Sequence, residues 1–209
     1  MSAPLDLAYP FTGRWLVQNS PANRVPSHGT RLFATAYAID FVPVDEAGRT
    51  APITIGSLIA PEPPDRFPGF GRPILAPVDG VVIATHDSDP DHPAHRGLPS
   101  IRYALTQRRR AAAGWVTLAG NHVLIDSRGT IVALCHLRQG SVTVRPGQQV
   151  QIGDVLGGCG NSGNSTEPHL HVQAIDNRDI EHAGAVRLTF NGSLPSNGDV
   201  VHAQTRAVE

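Results

Sequence analysis

The apolar residues of this chain come in short runs separated by turn-forming residues, and this spacing limits the possible folds more than any other feature. Gly (21) and Pro (18) together make up almost a fifth of the 209 residues, and Val and Ile cluster in short runs rather than in helical stripes. Many short strands joined by turns are typical of all-β proteins. We therefore predict an all-β chain whose length fits one domain.

The strand patterns are interrupted once, near the middle of the chain. The predicted strands His122–Asp126 and Ile131–Leu137 are joined by Ser127–Thr130, which predicts a hairpin. Between residues 86 and 114 the strand pattern breaks, and residues 100–113 have the pattern of a short helix, so this interval is predicted as an insertion. The other predicted strands are Ala36–Val44, Ile53–Ala60, Ile74–Ala76, Gly80–Ala84, Trp115–Leu118, Val142–Val144, Gln149–Ile152, Val155–Cys159 and His169–Asp176.

Charge and the N-terminal sequence exclude several classes of protein. The formal net charge is −1, so no overall field favours nucleic acid or an anionic membrane. All 17 basic residues are arginine, which excludes chemistry that needs a lysine amine. The first ten residues lack the features of a signal peptide, and no run approaches the ~20 apolar residues of a membrane span. As written, the chain is expected in the cytoplasm; a truncated start would fit an extracellular or cell-wall protein.

Two histidines follow a glycine-rich stretch near the end of the chain. His169 and His171 are separated by one residue and come directly after Gly160–Pro168. On a strand, residues i and i+2 project from the same face, so both imidazoles are predicted to face one cavity. One imidazole can then bind a metal while the other handles protons beside it. Two surface histidines on an ordinary strand would give the same pattern.

Further motifs, in order along the chain, distinguish between these interpretations. They are Ser27-His28-Gly29-Thr30, Tyr37–Phe41, Ile74–Val82, Gly120–Asp126, Leu134–Leu137, Val144–Val150 and Gly160–His171. In order and spacing the series resembles the M23 family of zinc metallopeptidases, the lysostaphin- and LytM-like peptidoglycan endopeptidases, over roughly residues 28–176. The resemblance implies a compact antiparallel β-sheet or sandwich of the LytM-like type, a duplicated hybrid motif, with one short helical insertion.

The resemblance also implies one tetrahedral Zn²⁺ bound by two histidines and an aspartate. His28 and Asp40 match the first two ligands, and His171 matches the third. His136 and His169 match the two non-ligand histidines that flank the metal-bound water and the substrate carbonyl, and they are the predicted catalytic residues. Three protein ligands leave a position open for the water, as a catalytic zinc requires.

The spacing of the first two ligands departs from the family pattern. Family members usually place three residues between this histidine and the aspartate, whereas eleven separate His28 from Asp40, and Ala36 stands where the histidine would be. Either the loop from 28 to 39 folds back and brings His28 to the site, or the site has lost a ligand. We predict the folded-back loop, since Gly29 allows the backbone to turn directly after His28.

The remaining polar groups are weaker candidates. The stretch 86–95 contains three histidines and three aspartates without regular spacing, so a solvated loop is predicted there rather than a metal site. Cys135 and His136 are adjacent and on a strand would point to opposite faces, which argues against a thiol protease pair. Glu167 is placed in the turn before the H-x-H strand rather than as a general base. Glycine-rich 157–163 lacks the residues of a phosphate-binding loop and is predicted as a tight turn.

These observations predict the organisation and function of the chain together. An irregular arm over residues 1–27 packs on a peptidase domain over 28–190, and a tail covers 191–209. The predicted function is a zinc metalloendopeptidase that hydrolyses peptide bonds through a metal-activated water, with peptidoglycan cross-bridges or stem peptides as substrate. The alternative is a catalytically degenerate domain of this type that binds a peptide or a partner protein. Metal storage or sensing would leave His136 and His169 without a role.

Overall fold

The structure is a computed structural model that describes residues 3–52, 57, 59–96, 112 and 114–204. These residues include a five-residue helix, α1 (Trp115–Ala119), and two 3-10 segments, Leu32–Tyr37 and Pro64–Arg66. The all-β class predicted from the sequence is confirmed. The strands are β1 (Leu5–Leu7), β2 (Gly13–Gln18), β3 (Ile39–Pro43), β4 (Pro73–Leu75), β5 (Gly80–His86), β6 (Asn121–Ser127), β7 (Thr130–Leu137), β8 (Gln149–Val150), β9 (Val155–Gly158), β10 (Leu170–Ile175), β11 (Ala185–Val186), β12 (Leu188–Phe190) and β13 (Val200–Ala203).

Nine of the described strands form one antiparallel sheet. Eight of them follow the order β13-β2-β3-β10-β7-β6-β5-β8, and β11 pairs with the end of β10. Two small pairs, β1 with β12 and β4 with β9, lie outside this sheet. The strand β10 lies between β3 and β7, and all six of its residues are buried. Both faces of the sheet are therefore covered at its centre.

The two faces of β10 carry different residues. Leu170 and Val172 project into the main hydrophobic core. Because side chains alternate along a strand, His171, Gln173 and Ile175 project to the opposite face. There Ile175 joins a second, smaller apolar cluster. The polar site is thus built on one face of a sheet whose other face is held by the main core.

The segment predicted as an irregular N-terminal arm, residues 1–27, is part of the sheet. Gly13–Gln18 forms β2, which pairs with β3 and β13. Phe11 and Trp15 are buried in the main core and stack at 4.3 Å between ring centroids. The prediction of an irregular arm is therefore wrong, because the buried alternation of Trp15 and Val17 in β2 is too short to indicate a strand from sequence. Residues 191–209, predicted as a tail, likewise contribute β13; the predicted domain boundaries themselves stay a prediction.

The local predictions succeeded where turn chemistry was clear and failed where it was not. The predicted hairpin is confirmed, with Ser127 paired to Thr130 at the tip of β6 and β7. Trp115–Leu118, predicted as a strand, is instead part of α1, because a short apolar run does not distinguish a strand from a helical turn. Val142–Val144 was also predicted as a strand and forms none.

Two predicted elements lie largely outside the described residues. Of the predicted strand 53–60 only residues 57, 59 and 60 are described, and Ser57 and Ile59 are helical. Of the predicted helix 100–113 only residue 112 is described. No helix in the described part of the chain is long and apolar enough to cross a membrane.

Candidate active site

Asp40 and His171 lie side by side on adjacent strands. They are register partners of β3 and β10, so their side chains share one face of the sheet. His171 Nδ1 lies 2.9 Å from Asp40 Oδ1, and both residues are buried. The neighbouring register pair, Leu170 and Phe41, projects into the main core on the other face. Packing of the sheet therefore holds this half of the site.

His28 reaches the same point from a loop. Residues 28–38, called here the His28 loop, connect it back to β3. His28 Nε2 lies 3.0 Å from Asp40 Oδ2, and the rings of His28 and His171 are 4.9 Å apart between centroids. The loop folds back as predicted, and the structure brings His28 to the site despite the eleven intervening residues.

These three side chains offer donor atoms that fit a metal ion. One ligand atom from each of His28, Asp40 and His171 lies within 4.8 Å of the others. Two imidazole nitrogens and a carboxylate oxygen are a donor set that suits Zn²⁺. Burial favours the neutral form of Asp40, but the nearby histidines outweigh it and hold the pKa of this carboxyl well below its usual value. Asp40 is therefore ionised, as a metal ligand must be.

His136 and His169 lie beside the three candidate ligands. Their rings are 4.7 Å apart between centroids. His136 Nδ1 donates to the Ser162 carbonyl at 2.9 Å, and His169 Nδ1 donates to the Glu167 carbonyl at 2.8 Å. Because a carbonyl can only accept, both rings carry a proton on Nδ1 and keep a lone pair on Nε2. Glu167 lies in the turn as predicted, and its backbone carbonyl is the group that accepts from His169.

The electrostatic surroundings of these two histidines differ. Burial, with His169 and His171 nearby, holds the pKa of His136 well below its usual value, so this ring is neutral at neutral pH. His169 Nε2 instead lies 3.8 Å from Asp40 Oδ1. Each ring presents Nε2 as an acceptor, because its Nδ1 donates to a backbone carbonyl.

His136 reaches the site through an unusual backbone conformation. Its φ is 64°, in the left-handed region that residues other than glycine rarely adopt. Cys135 already faces the site, because it is the register partner of His171. The left-handed residue breaks the strand alternation, so Cys135 and His136 both line the cleft. The prediction that they point to opposite faces is wrong, and the strain of this residue lies at the candidate site, where such strain is often found.

Cys135 nevertheless has no properties of a nucleophile. Burial, and then the charge of Asp40, raises the pKa of its thiol. The thiol stays protonated, whereas a catalytic cysteine reacts as the thiolate. The protonated thiol of Cys135, rather than strand geometry, therefore excludes a thiol protease pair.

All five predicted site residues line one cleft of about 370 Å³. A cleft of this volume falls within the range of ligand-binding sites. Its lining combines polar and apolar side chains, among them Asn19, Asn164, Thr166, Glu167, Leu32, Phe33, Trp115 and Leu118.

Three polar residues that support the site were not among those predicted from the sequence. Asn19 Nδ2 donates to Asp40 Oδ2 at 2.7 Å. No sequence signal marks Asn19, since its position follows from the pairing of β2 with β3. Gln173, which contacts His171, could have been found, because it follows His171 by two residues on the same strand face. Ser27 directly precedes His28 and contacts its ring.

The acidic stretch 86–95 is not the solvated loop that was predicted. The Asp91 carboxylate accepts from the backbone N–H of Asn161 at 2.6 Å, and the Asp87 carboxylate accepts from that of Ser141 at 3.2 Å. Carboxylates bound in this way brace neighbouring turns. Asp91 thus supports the glycine-rich turn that leads into the H-x-H strand.

Comparison with known proteins confirms the predicted resemblance to family M23. Residues 103–182 match the family described as Peptidase family M23. The peptidoglycan DD-endopeptidase ShyA of Vibrio cholerae serotype O1 is 29% identical over 106 residues, which cover 51% of this chain and 18% of that protein. The chain thus matches less than a fifth of this relative's length. The family match supports a peptidase.

Several solved structures are also similar to this chain. The catalytic domain of lysostaphin from Staphylococcus simulans has a TM-score of 0.40 and 17% identity, covering 71% of this chain and 74% of that one. A putative M23 peptidase from Pseudomonas aeruginosa has a TM-score of 0.43 and 22% identity, covering 89% of this chain and 50% of that one.

Proposed function

We propose that this protein is a zinc-dependent endopeptidase whose metal ion is held by His28, Asp40 and His171. One observation carries the proposal: three convergent donor atoms share a cleft with two further histidines. Structural zinc sites are usually closed by four protein ligands, whereas three ligands beside a cleft are typical of catalytic sites. When bound, Zn²⁺ polarises a carbonyl and lowers the pKa of water.

His136 and His169 are proposed to handle the protons of the reaction. Each ring holds its own proton at Nδ1 against a backbone carbonyl and presents Nε2 as an acceptor. At Nε2 either ring can take a proton from the attacking water as a general base. Once protonated, it can stabilise the charge that develops on the substrate carbonyl or donate to the leaving amine.

Peptidoglycan is the proposed substrate, as cross-bridges or stem peptides. The support is the name of the relative ShyA, a peptidoglycan DD-endopeptidase. The mixed polar and apolar lining of the cleft fits a peptide, whose backbone needs hydrogen bonds and whose side chains need apolar contact.

Metal content and hydrolysis, measured on the same samples, test this function. We expect one zinc ion per chain, cleavage of purified peptidoglycan or glycine-rich peptides, loss of cleavage on chelation, and recovery on adding Zn²⁺. Zinc at one ion per chain without cleavage of these substrates or of a broad peptide library would favour a binding module. A protein that binds no zinc would contradict the metal site itself.

A further inference from the structure

A hydrogen-bonded relay connects His28 to the backbone of its own loop. His28 Nδ1 lies 3.0 Å from Ser27 Oγ, and this hydroxyl donates to the Thr35 carbonyl at 3.2 Å. A hydroxyl has only one proton, so Ser27 Oγ must accept from the Nδ1–H of His28. The proton of His28 is thereby held on Nδ1, and Nε2 is left facing Asp40.

A second relay connects His171 to the same loop. His171 Nε2 lies 3.0 Å from Gln173 Oε1, and Gln173 Nε2 donates to the Phe33 carbonyl at 3.0 Å. The carbonyl can only accept, so it fixes which end of the amide faces it. The amide oxygen must then accept from the Nε2–H of His171. This leaves Nδ1 of His171 as the atom that faces Asp40.

Both relays end on one turn of the His28 loop, the 3-10 segment Leu32–Tyr37. Within it Phe33 and Ala34 have φ values of 54° and 58°, a left-handed conformation that is uncommon outside glycine. The carbonyls of Phe33 and Thr35 that receive the relays both belong to this turn. Ser27 and Gln173 are 0% and 1% exposed, so the side chain at the centre of each relay is shielded from solvent.

We propose that Ser27 and Gln173 are positioning residues that set which nitrogen of each ligand histidine carries the proton, with the turn at Phe33 and Ala34 as their common anchor. The inference rests on the proposed function, because it concerns the same metal site. A histidine binds a metal through one nitrogen only when its proton is on the other, and partners that fix this arrangement strengthen binding. The long loop therefore delivers His28 and also orients both histidines.

Zinc affinity of the full chain, measured by competition with a chromogenic chelator, tests the two relays. Ser27→Ala and Gln173→Met each remove a relay without changing a ligand, and each should weaken zinc binding about 10- to 100-fold. Ser141→Ala is the matched control, because its hydroxyl donates to the Arg138 carbonyl at 2.7 Å outside the cleft. Its zinc affinity should equal that of the wild type. Circular dichroism and thermal unfolding establish that each variant is folded.

Gln173→Glu separates the two contacts of Gln173. The carboxylate still accepts from His171 Nε2–H but has no proton to donate to the Phe33 carbonyl. This variant should bind zinc more tightly than Gln173→Met. In the metal-free protein, however, the backbone amides of residues 32–37 should exchange with deuterium faster than in the wild type. If Gln173→Glu does not fold, zinc affinity and deuterium exchange over residues 32–37 in Ser27→Ala and Gln173→Met test the proposal instead.

The outcomes distinguish this inference from the proposed function. Wild-type zinc affinity in both Ser27→Ala and Gln173→Met would overturn the positioning role and leave the endopeptidase proposal intact. A wild-type protein that binds no zinc would overturn both. If zinc binding weakens but deuterium exchange of the amides of residues 32–37 is unchanged in every variant, the turn at Phe33 and Ala34 is not the common anchor.

Discussion

The three candidate metal ligands come from two regions that are held in place by different interactions. Asp40 and His171 stand on paired strands, and the residues next to them in sequence pack into the main core on the other face. His28 stands in a loop, where its Nδ1 donates to Ser27 Oγ and its Nε2 lies 3.0 Å from Asp40 Oδ2. The strand half of the site therefore shares its stability with the whole sheet, whereas the loop half depends on a few polar contacts. Mutations in the loop half should therefore weaken metal binding with little loss of stability, whereas mutations in the strand half should weaken both.

The largest effects are expected from replacing the two candidate ligand histidines. His28→Ala and His171→Ala should each weaken zinc binding by more than the ~100-fold that is typical of changes next to a ligand. The free energy of unfolding of the metal-free protein should fall in His171→Ala, which removes a buried ring from the sheet, and change less in His28→Ala. Chelator competition and chemical denaturation measure the two quantities. Equal losses of stability would show that the loop is packed as firmly as the strands.

The next effect concerns the two histidines that are not ligands. His136→Ala, on a strand, and His169→Ala, at the end of a turn, should each keep zinc and lose hydrolysis by at least ~10²-fold. His202→Ala is the control, because this residue is exposed on β13. Zinc content and turnover are measured on the same samples. Loss of zinc from His169→Ala would instead make His169 a ligand.

Low pH should lower the free energy of unfolding through the protonation of His122, the second residue of β6. The ring lies 4.5 Å from that of Trp115 between centroids, and burial lowers its pKa to about 4. The unfolded residue has a pKa near 6.5, so the unfolded chain binds more protons between pH 6.5 and 4, and stability falls as the pH falls through this window. Relative to neutral pH, the titration of His122 lowers the free energy of unfolding by about 3 kcal/mol at pH 4 and has no effect above pH 7.

His122→Phe tests this effect, since it keeps an aromatic ring against Trp115 and removes the titration. The difference in unfolding free energy between variant and wild type, measured by urea denaturation from pH 7 to pH 4, should shift in favour of the variant as the pH falls. A difference that does not change with pH would contradict the lowered pKa.

The smallest effect is expected at the hairpin between β6 and β7, which belongs to the strand region alone. Arg128 and Gly129 have φ values of 55° and 87°, the pattern of a turn that favours Asn-Gly. Arg128→Asn should raise the free energy of unfolding by ~0.5 kcal/mol. Zinc affinity should stay unchanged, because the hairpin lies at the opposite end of β7 from His136. A change in zinc affinity would mean that the sheet transmits strain to the site.

Much of the strand region was predictable because its signals are local. Apolar periodicity and turn residues indicated β5, β6, β7 and β10, and the order of motifs indicated the five site residues. Local signals failed for β2, where the buried alternation is limited to Trp15 and Val17, and for α1, whose run is too short to distinguish strand from helix. The same limit applies to His136, since nothing in its neighbours predicts a left-handed residue within a strand.

The sequence by itself determined the all-β class, because short apolar runs between turn residues are a local signal. The candidate ligands and the two further histidines came from the resemblance of the motif series to family M23. Only the tertiary structure decided how His28 reaches Asp40, that His136 turns into the cleft, and that Ser27 and Gln173 contact the two candidate ligand histidines. Gln173 meets the Phe33 carbonyl across 140 residues of chain. Contacts of this range depend on strand register and on the packing of a loop against the sheet, and neither is written in a local pattern.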